Sequence, residues 1–344
     1  MSQVPEARES RVPMRAVGVR VRVALVAVAA LLLAGAALMR AQTEAIHFTQ
    51  IGTMAGPADL IRVDGDRAYV AAGKTMTGYD ISSPDAPKRT GSHTFPEKIW
   101  GFRVVGHLLY VAADFFGFAV LDGSSPSGPT LVGSLKTPGQ AKSVAVYGNK
   151  VLVADHMSGL DYLDVSEPAN PVNLGSFFLE GYARDVAASG SMAYAVDAPN
   201  GLYVLDLAQR DPLEPVAVVQ SASAPSFITL SDESVSPRLA CLIGAGSLQV
   251  YDVSNPAEPV RRATLQTPGR PQRAVLEGTL AYVADGPGGL QVVDLSAPAS
   301  PVIIASFETP EPARDVAVAG PLVFVVVGAG EEGSAVLVLR QSVN

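Results

Sequence analysis

Counted back from a glycine that recurs along the chain, Asp59, Trp100, Lys142, Arg184, Ser226, Gln272 and Arg314 occupy equivalent positions. Trp100, Lys142, Arg184 and Arg314 are types that hold an anion or an aromatic ligand, through charge-assisted hydrogen bonds or the indole face. Asp114, Asp155, Asp197 and Asp285 stand close by, each at the end of an apolar run. Charges near a packed interface are normally paired, so one reading ties Arg184 and Arg314 to these aspartates and to neighbouring carbonyls. Glu97, Glu180, Asp185, Glu311 and Asp315 fall on the same segments. The set is therefore not basic as a whole, and a dedicated anion site is not favoured.

An aromatic feature stands out more. Trp100 is the only tryptophan, and its repeat reads Asp114-Phe115-Phe116-Gly117-Phe118 where the sibling repeats carry small polar residues. Displayed on a rim, Trp100, Phe115 and Phe116 would form an apolar patch beside Lys98 and His156, of the kind protein or sugar partners contact. The competing reading has Phe118 and one of the other two phenylalanines filling the core. The candidate ligand-binding residues are Trp100, Phe115, Phe116, Lys142, Arg184 and Arg314.

Enzyme signatures are missing from the sequence. His47, His93, His107 and His156 fall at different points of the repeat and build no symmetric metal ring. No Gly-x-Ser-x-Gly elbow or His-Glu-x-x-His helix occurs. Gly244-Ala245-Gly246 and Gly286-Pro287-Gly288-Gly289 have no helix after them to bind phosphate. Asp64-Gly65-Asp66 reads as a hairpin turn rather than a calcium loop. Cys241 is the only cysteine, so no intrachain disulfide forms, and its neighbours Ala240, Leu242 and Ile243 make it a buried strand residue. No cofactor is expected.

The elements that carry these residues come from a repeat. The aspartate closing each Gly-Leu-x-Val-x-Asp phrase recurs at Asp80, Asp122, Asp164, Asp206, Asp252 and Asp294, at intervals of 42, 42, 42, 46 and 42. Repeats of this length, rich in Val, Ala and Gly, predict propeller blades. The third unit predicts strand a over Lys142 to Val146, strand b over Val151 to Ala154, strand c over Leu160 to Val165 and strand d over Pro171 to Phe178. A glycine in each a-to-b turn allows the positive φ of a tight hairpin. Strand b is apolar almost throughout, as a strand buried on both faces must be. The phrase Asp-x-Ser-x-Pro-x-x-Pro after strand c predicts a turn in which the aspartate accepts backbone N–H groups while proline stops the strand. The Asp206 copy departs from it, and four residues are added between Ser231 and Leu239.

The seventh unit supplies only Arg314 to Val318, Leu322 to Val327 and Ala335 to Arg340. Ile46 to Met54 has the character of a d strand but no blade before it. Pairing the two would close a seven-bladed, all-β propeller and remove its exposed edges. The phrases GLDYLDVS (Gly159 to Ser166), GLYVLDLA (Gly201 to Ala208) and GLQVVDLS (Gly289 to Ser296) resemble the LVIVD repeat of exported bacterial and archaeal proteins. The resemblance covers roughly residues 46 to 340. It implies a surface or periplasmic β-propeller with varied anchors, and no catalytic residues.

Arg8, Arg11, Arg15, Arg20 and Arg22 precede an uncharged apolar run, Val23 to Met39, that ends at Arg40. This orients the segment with its N-terminus in the cytoplasm. Residues 1–45 are expected to be a signal peptide, with a small-x-small site at Ala34-Gly35-Ala36, or an uncleaved hydrophobic helix and linker; residues 46–344 form the propeller. Membrane contact is expected only through residues 23–39, if uncleaved. Without residues 1–40 the formal charge is −12, from 19 basic and 31 acidic side chains. Such a body repels polyphosphate, so nucleic acid is excluded as a partner. The sequence thus points to an extracytoplasmic, non-catalytic module that binds a protein or a surface glycan. The competing classes are a hydrolase or lyase with a channel-mouth metal on Asp59, Asp114, Asp185 and Asp315, and a structural envelope scaffold.

Overall fold

Short apolar runs broken by Gly and Asx turns can only zigzag, and each repeat folds as a four-stranded antiparallel meander. Blade three shows the pattern, with strands a to d over Ser143–Tyr147, Lys150–Ala154, Leu160–Asp164 and Val172–Phe177. The computed structural model describes residues 45–208, 214–221, 224–328 and 333–343. Seven such sheets are present. The expected signal peptide or anchor, including the hydrophobic helix, lies outside the described residues. Among those described, no helix is long and apolar enough to cross a membrane.

The turn chemistry read from the repeat is present in the backbone. The hairpin glycines from Gly65 to Gly320 adopt φ between 53° and 59°. After strand c, the N–H groups of Ser82, Ser124, Ser166, Ser254 and Ser296 donate to the aspartate two residues earlier at 2.7 to 3.0 Å. Ala208 does the same to Asp206 at 3.0 Å, so the turn survives loss of the serine. These bonds favour the ionised form, and the Ser124 N–H holds the Asp122 carboxyl below its usual range.

The ring closes across the chain ends. Ile46–Ala55 runs antiparallel to Ala335–Val343 and becomes the outer strand of the blade made by Ala313–Ala319 and Leu322–Val327. Its register runs from Ile46 opposite Val343 to Ala55 opposite Ala335, with a bulge between Gln50 and Gly52. The six other outer strands are bulged at the matching place, for instance at Tyr162/Leu163 and Val292/Val293. A bulge bends an edge strand and blunts its appetite for foreign strands.

The core is divided between the blades. Buried apolar residues gather into one cluster at each blade interface. Strand b has both faces inside these clusters; in blade two, Leu109 and Val111 pack towards blade one while Tyr110 and Ala112 pack towards blade three. Cys241 lies in the interface between blades five and six, where burial pushes its thiol up to about 12, so it is inert as a nucleophile.

Candidate functional site: the channel mouth and its rim

The innermost strands of adjacent blades contact one another around the ring, and the first strand meets the last. The residue at the start of each one therefore faces a common mouth. Asp59, Trp100, Lys142, Arg184, Ser226, Gln272 and Arg314 line a single cavity of about 330 Å³, joined by Lys98 and Arg273. The ammonium groups of Lys98 and Lys142 lie over the Trp100 ring, 4.3 and 4.2 Å from its centroid. The Arg273 guanidinium sits over Phe227 at 4.9 Å. Lys142 approaches Asp114 at 3.8 Å and Arg314 approaches Asp59 at 3.9 Å, both long for ion pairs. Arg184 is exposed and makes no ion pair among the described residues. Burial lowers the Lys142 pKa, Asp114 opposes this, and Arg184 adds to it.

The aspartates beside the mouth act differently from the expected arginine partners. Asp155 accepts the Thr137 hydroxyl at 2.7 Å and the Gly139 N–H; Asp285 accepts Gly269 N–H at 2.8 Å and the Thr267 hydroxyl. Asp197 takes Gly181 N–H and the Asn200 amide at 3.0 Å. Each clamps the loop that enters its own blade. Asp114 does not belong with them, because it stands one position later in a b-to-c loop of equal length, with Ala113 at the clamp position. It occupies the left-handed position, φ 44°, held in other blades by His156 (φ 55°) and Gly286 (φ 55°), and bridges Ala141 as they bridge Ala183 and Ala313. That shift turns it towards Lys142.

The proposed metal ligands do not converge. Asp315 accepts the Ile61 N–H at 2.9 Å and Arg62 at 2.8 Å, and Asp185 accepts the Ile228 N–H at 2.9 Å, so both tie one blade to the next. Among the described residues no three His, Cys, Asp or Glu side chains come together. Glu97, Glu180 and Glu311 do not line the cavity either. The cavity lining therefore sets five cations against Asp59, although the loops as a set also carry Glu97, Glu180 and Glu311.

Blade three adds a buried carboxyl pair. Burial raises Asp155 to about 6, its Thr137 and Gly139 bonds oppose this, and the neighbouring Asp161 raises it further. Asp161 Oδ2 accepts no hydrogen bond. Blade six repeats the clamp with Gln291 in place of Asp161, bonded to the Gly288 carbonyl and the Ser306 hydroxyl, each at 2.6 Å. A carboxyl whose folded pKa exceeds its unfolded one gains protons on folding, so its contribution weakens stability as pH rises from about 4 to about 6 and stays unfavourable above. Asp161→Gln is expected to lower the Asp155 pKa and stabilise the protein at pH 8 by about 1 kcal/mol, with little change near pH 4. Thermal melts at both pH values check this, and an equal shift at each would count against the pair.

The expected aromatic patch divides. Phe116 packs into the core between blades one and two, edge-on to Phe95 at 5.5 Å, and Phe118 is buried against Tyr110 at 6.3 Å. Phe115 is 58% exposed, but no ring contact joins Trp100 to a phenylalanine among the described residues. Three further exposed residues continue the rim: Met157 at 66%, Phe178 at 72% and Tyr182 at 41%. His156 stacks on Tyr182 at 4.9 Å, and its pKa is lowered by burial and then by Lys142 and Arg184, so this rim adjoins the mouth. The sequence carries a signal for Phe178, which stands where sibling strands continue with Lys136 or Glu308.

A search of the curated proteins finds no match. Among solved structures, the β-propeller domain of Myceliophteria thermophila Cps50 (Swd1) is similar with a TM-score of 0.69 at 14% identity, covering 86% of this chain and 99% of that one. A chain of the mitotic checkpoint complex is similar with a TM-score of 0.68 at 9% identity, covering 99% and 98%. The computationally designed Ika8 protein follows with a TM-score of 0.61 at 10% identity, covering 85% and 99%. These likenesses concern the fold alone. The LVIVD repeat matches residues 55–94, 98–137, 138–178, 180–231, 239–267 and 268–309, and with most of its length accounted for by that repeat, the chain belongs to the LVIVD repeat family.

Proposed function

We propose that this propeller is a non-catalytic binding module that works outside the cytoplasm, delivered by residues 1–45, and that a partner protein docks on the rim of blades two to four. The observation that carries the reading is the set of exposed side chains on that rim, Phe115, Met157, Phe178 and Tyr182. Large apolar residues on rigidly held loops favour contact with another protein. A sugar would need an open aromatic platform, and the one indole already carries two ammonium groups. One similar fold was solved within a complex, which agrees with an interaction role.

The test compares cross-linked capture from envelope extract by three proteins. The native chain and a Val105→Ser control on the opposite rim are expected to capture the same partner, and Phe115→Ser/Phe178→Ser to lose it. Capture retained by the double variant would remove the rim from consideration. Capture that survives protease treatment of the extract would point to a glycan instead.

A further inference from the structure

We infer that the channel mouth is a receptor for an acidic peptide segment, whose carboxylates enter among Lys98, Lys142, Arg184, Arg273 and Arg314 while the rest of the partner rests on the neighbouring rim. This builds on the reading of that rim as a protein-docking surface. The body of the propeller is strongly acidic, yet these five cations share a cavity of about 330 Å³ with a single lining carboxylate, Asp59. A concave site of one sign between low-dielectric walls focuses its field outward. Asp185 and Asp315 do not neutralise it, since they accept backbone N–H groups of the next blade, which leaves only Asp114 near Lys142 and Asp59 near Arg314.

The cations are also available. Lys98 and Arg273 rest on the Trp100 and Phe227 rings, and neither has a carboxylate partner among the described residues; nor does Arg184. Ammonium and guanidinium groups on aromatic faces keep their outward N–H donors for an incoming anion. The cations enter from blades two, three, four, six and seven rather than from one point, which suits several carboxylates along a chain better than a single small anion. A second cavity of about 760 Å³ shares Asp59, Lys98 and Arg314 and continues past Thr75, Thr77 and Arg89, leaving room for an extended segment. Charge complementarity selects the acidic chain, and the exposed Phe115 and Tyr182 select a peptide over an acidic glycan.

Trp100 supplies the readout, because it is the only tryptophan and two of the binding cations lie on it. Its emission is titrated with a synthetic peptide alternating glutamate and glycine, with the glutamine counterpart, and with a polyuronate. The glutamate peptide is expected to shift the emission saturably, and to bind about tenfold more weakly when salt rises from about 50 to about 300 mM. The glutamine peptide is expected to give no shift. Arg184→Glu and Arg273→Gln should each weaken the glutamate peptide by about tenfold or more, with far-ultraviolet circular dichroism confirming the fold. Equal response to the two peptides, or full binding by Arg184→Glu, would overturn the inference. Tighter binding of the polyuronate would also overturn it in favour of an acidic glycan. Loss of peptide binding in Arg184→Glu with partner capture intact would overturn the link to the partner and leave the rim reading standing, whereas capture lost in Arg184→Glu and kept in Phe115→Ser/Phe178→Ser would defeat the rim alone.

Discussion

Deleting Ile46–Met54 lowers the unfolding midpoint by about 10 °C or more and exposes a new sheet edge. The strand contributes backbone pairing from Ile46 opposite Val343 to Met54 opposite Val336. Its apolar side chains serve two interfaces: Met54 and Ile51 pack between blades seven and one, Ile46 and Phe48 between six and seven. The four side chains are worth about 1.5 to 3 kcal/mol each when buried and the eight backbone pairs about 1 kcal/mol each, against about 1 to 2 kcal/mol per ordered residue. The difference is on the order of 5 kcal/mol, and each kcal/mol moves the midpoint by about 2 °C in a chain of this size. Without the strand, Ala335–Val343 becomes an unpaired edge and the deletion variant is expected to self-associate. Adding the peptide IHFTQIGTM in trans should restore the melt by strand addition. An unchanged midpoint, or no response to the peptide, would mean that the ring does not depend on this closure.

That closure was legible because it is a counting argument. A seventh unit that lacks its outer strand and an orphan strand at the other end can each be read from the repeat without coordinates. The bulge at Gln50/Gly52 adds what periodicity cannot carry, the local geometry that makes Ile46–Ala55 an outer strand like the six others. The turns were legible for a related reason. An aspartate that accepts the N–H two residues on is a local interaction, and the bonds to Ser82, Ser124 and Ser166 depend on nothing beyond the hairpin.

The mouth was legible in position and not in charge. Equivalence within the repeat suffices to put seven residues on one ring. Whether a carboxylate near that ring neutralises it depends on where its side chain turns, which is a tertiary matter. Asp185 and Asp315 come one residue after Arg184 and Arg314, and strand alternation sends them away from the mouth into the seam with the next blade. Asp114 misled in the opposite way. It stands one position past the clamp position of Asp155, Asp197 and Asp285, where Ala113 sits instead, and this places it next to Lys142. Phe116 and Phe115, adjacent in sequence, part for the same reason, one into the interface and one into solvent.

Asp315→Ala is expected to cost about 3 to 5 kcal/mol in urea unfolding, because it breaks a buried charge pair from one side only. Asp315 is 1% exposed and holds two donors of blade one at once, the Ile61 N–H at 2.9 Å and Arg62 at 2.8 Å. Its loss leaves Ile61 N–H without its carboxylate acceptor and leaves Arg62 close to Arg103, whose own pKa burial has pushed down to about 10, with Arg62 adding to the drop. Asp185 is the internal control. It makes the equivalent bond to Ile228 N–H at 2.9 Å and no arginine ion pair among the described residues, with Arg103 acting on it only through space, so Asp185→Ala should cost only about 1 to 3 kcal/mol. Asp315→Asn retains an oxygen for Ile61 and should fall below Asp315→Ala. If the two alanine variants lose equal stability, the Arg62 pair contributes nothing to the seam, and the join between the last blade and the first rests on strand pairing and apolar packing alone.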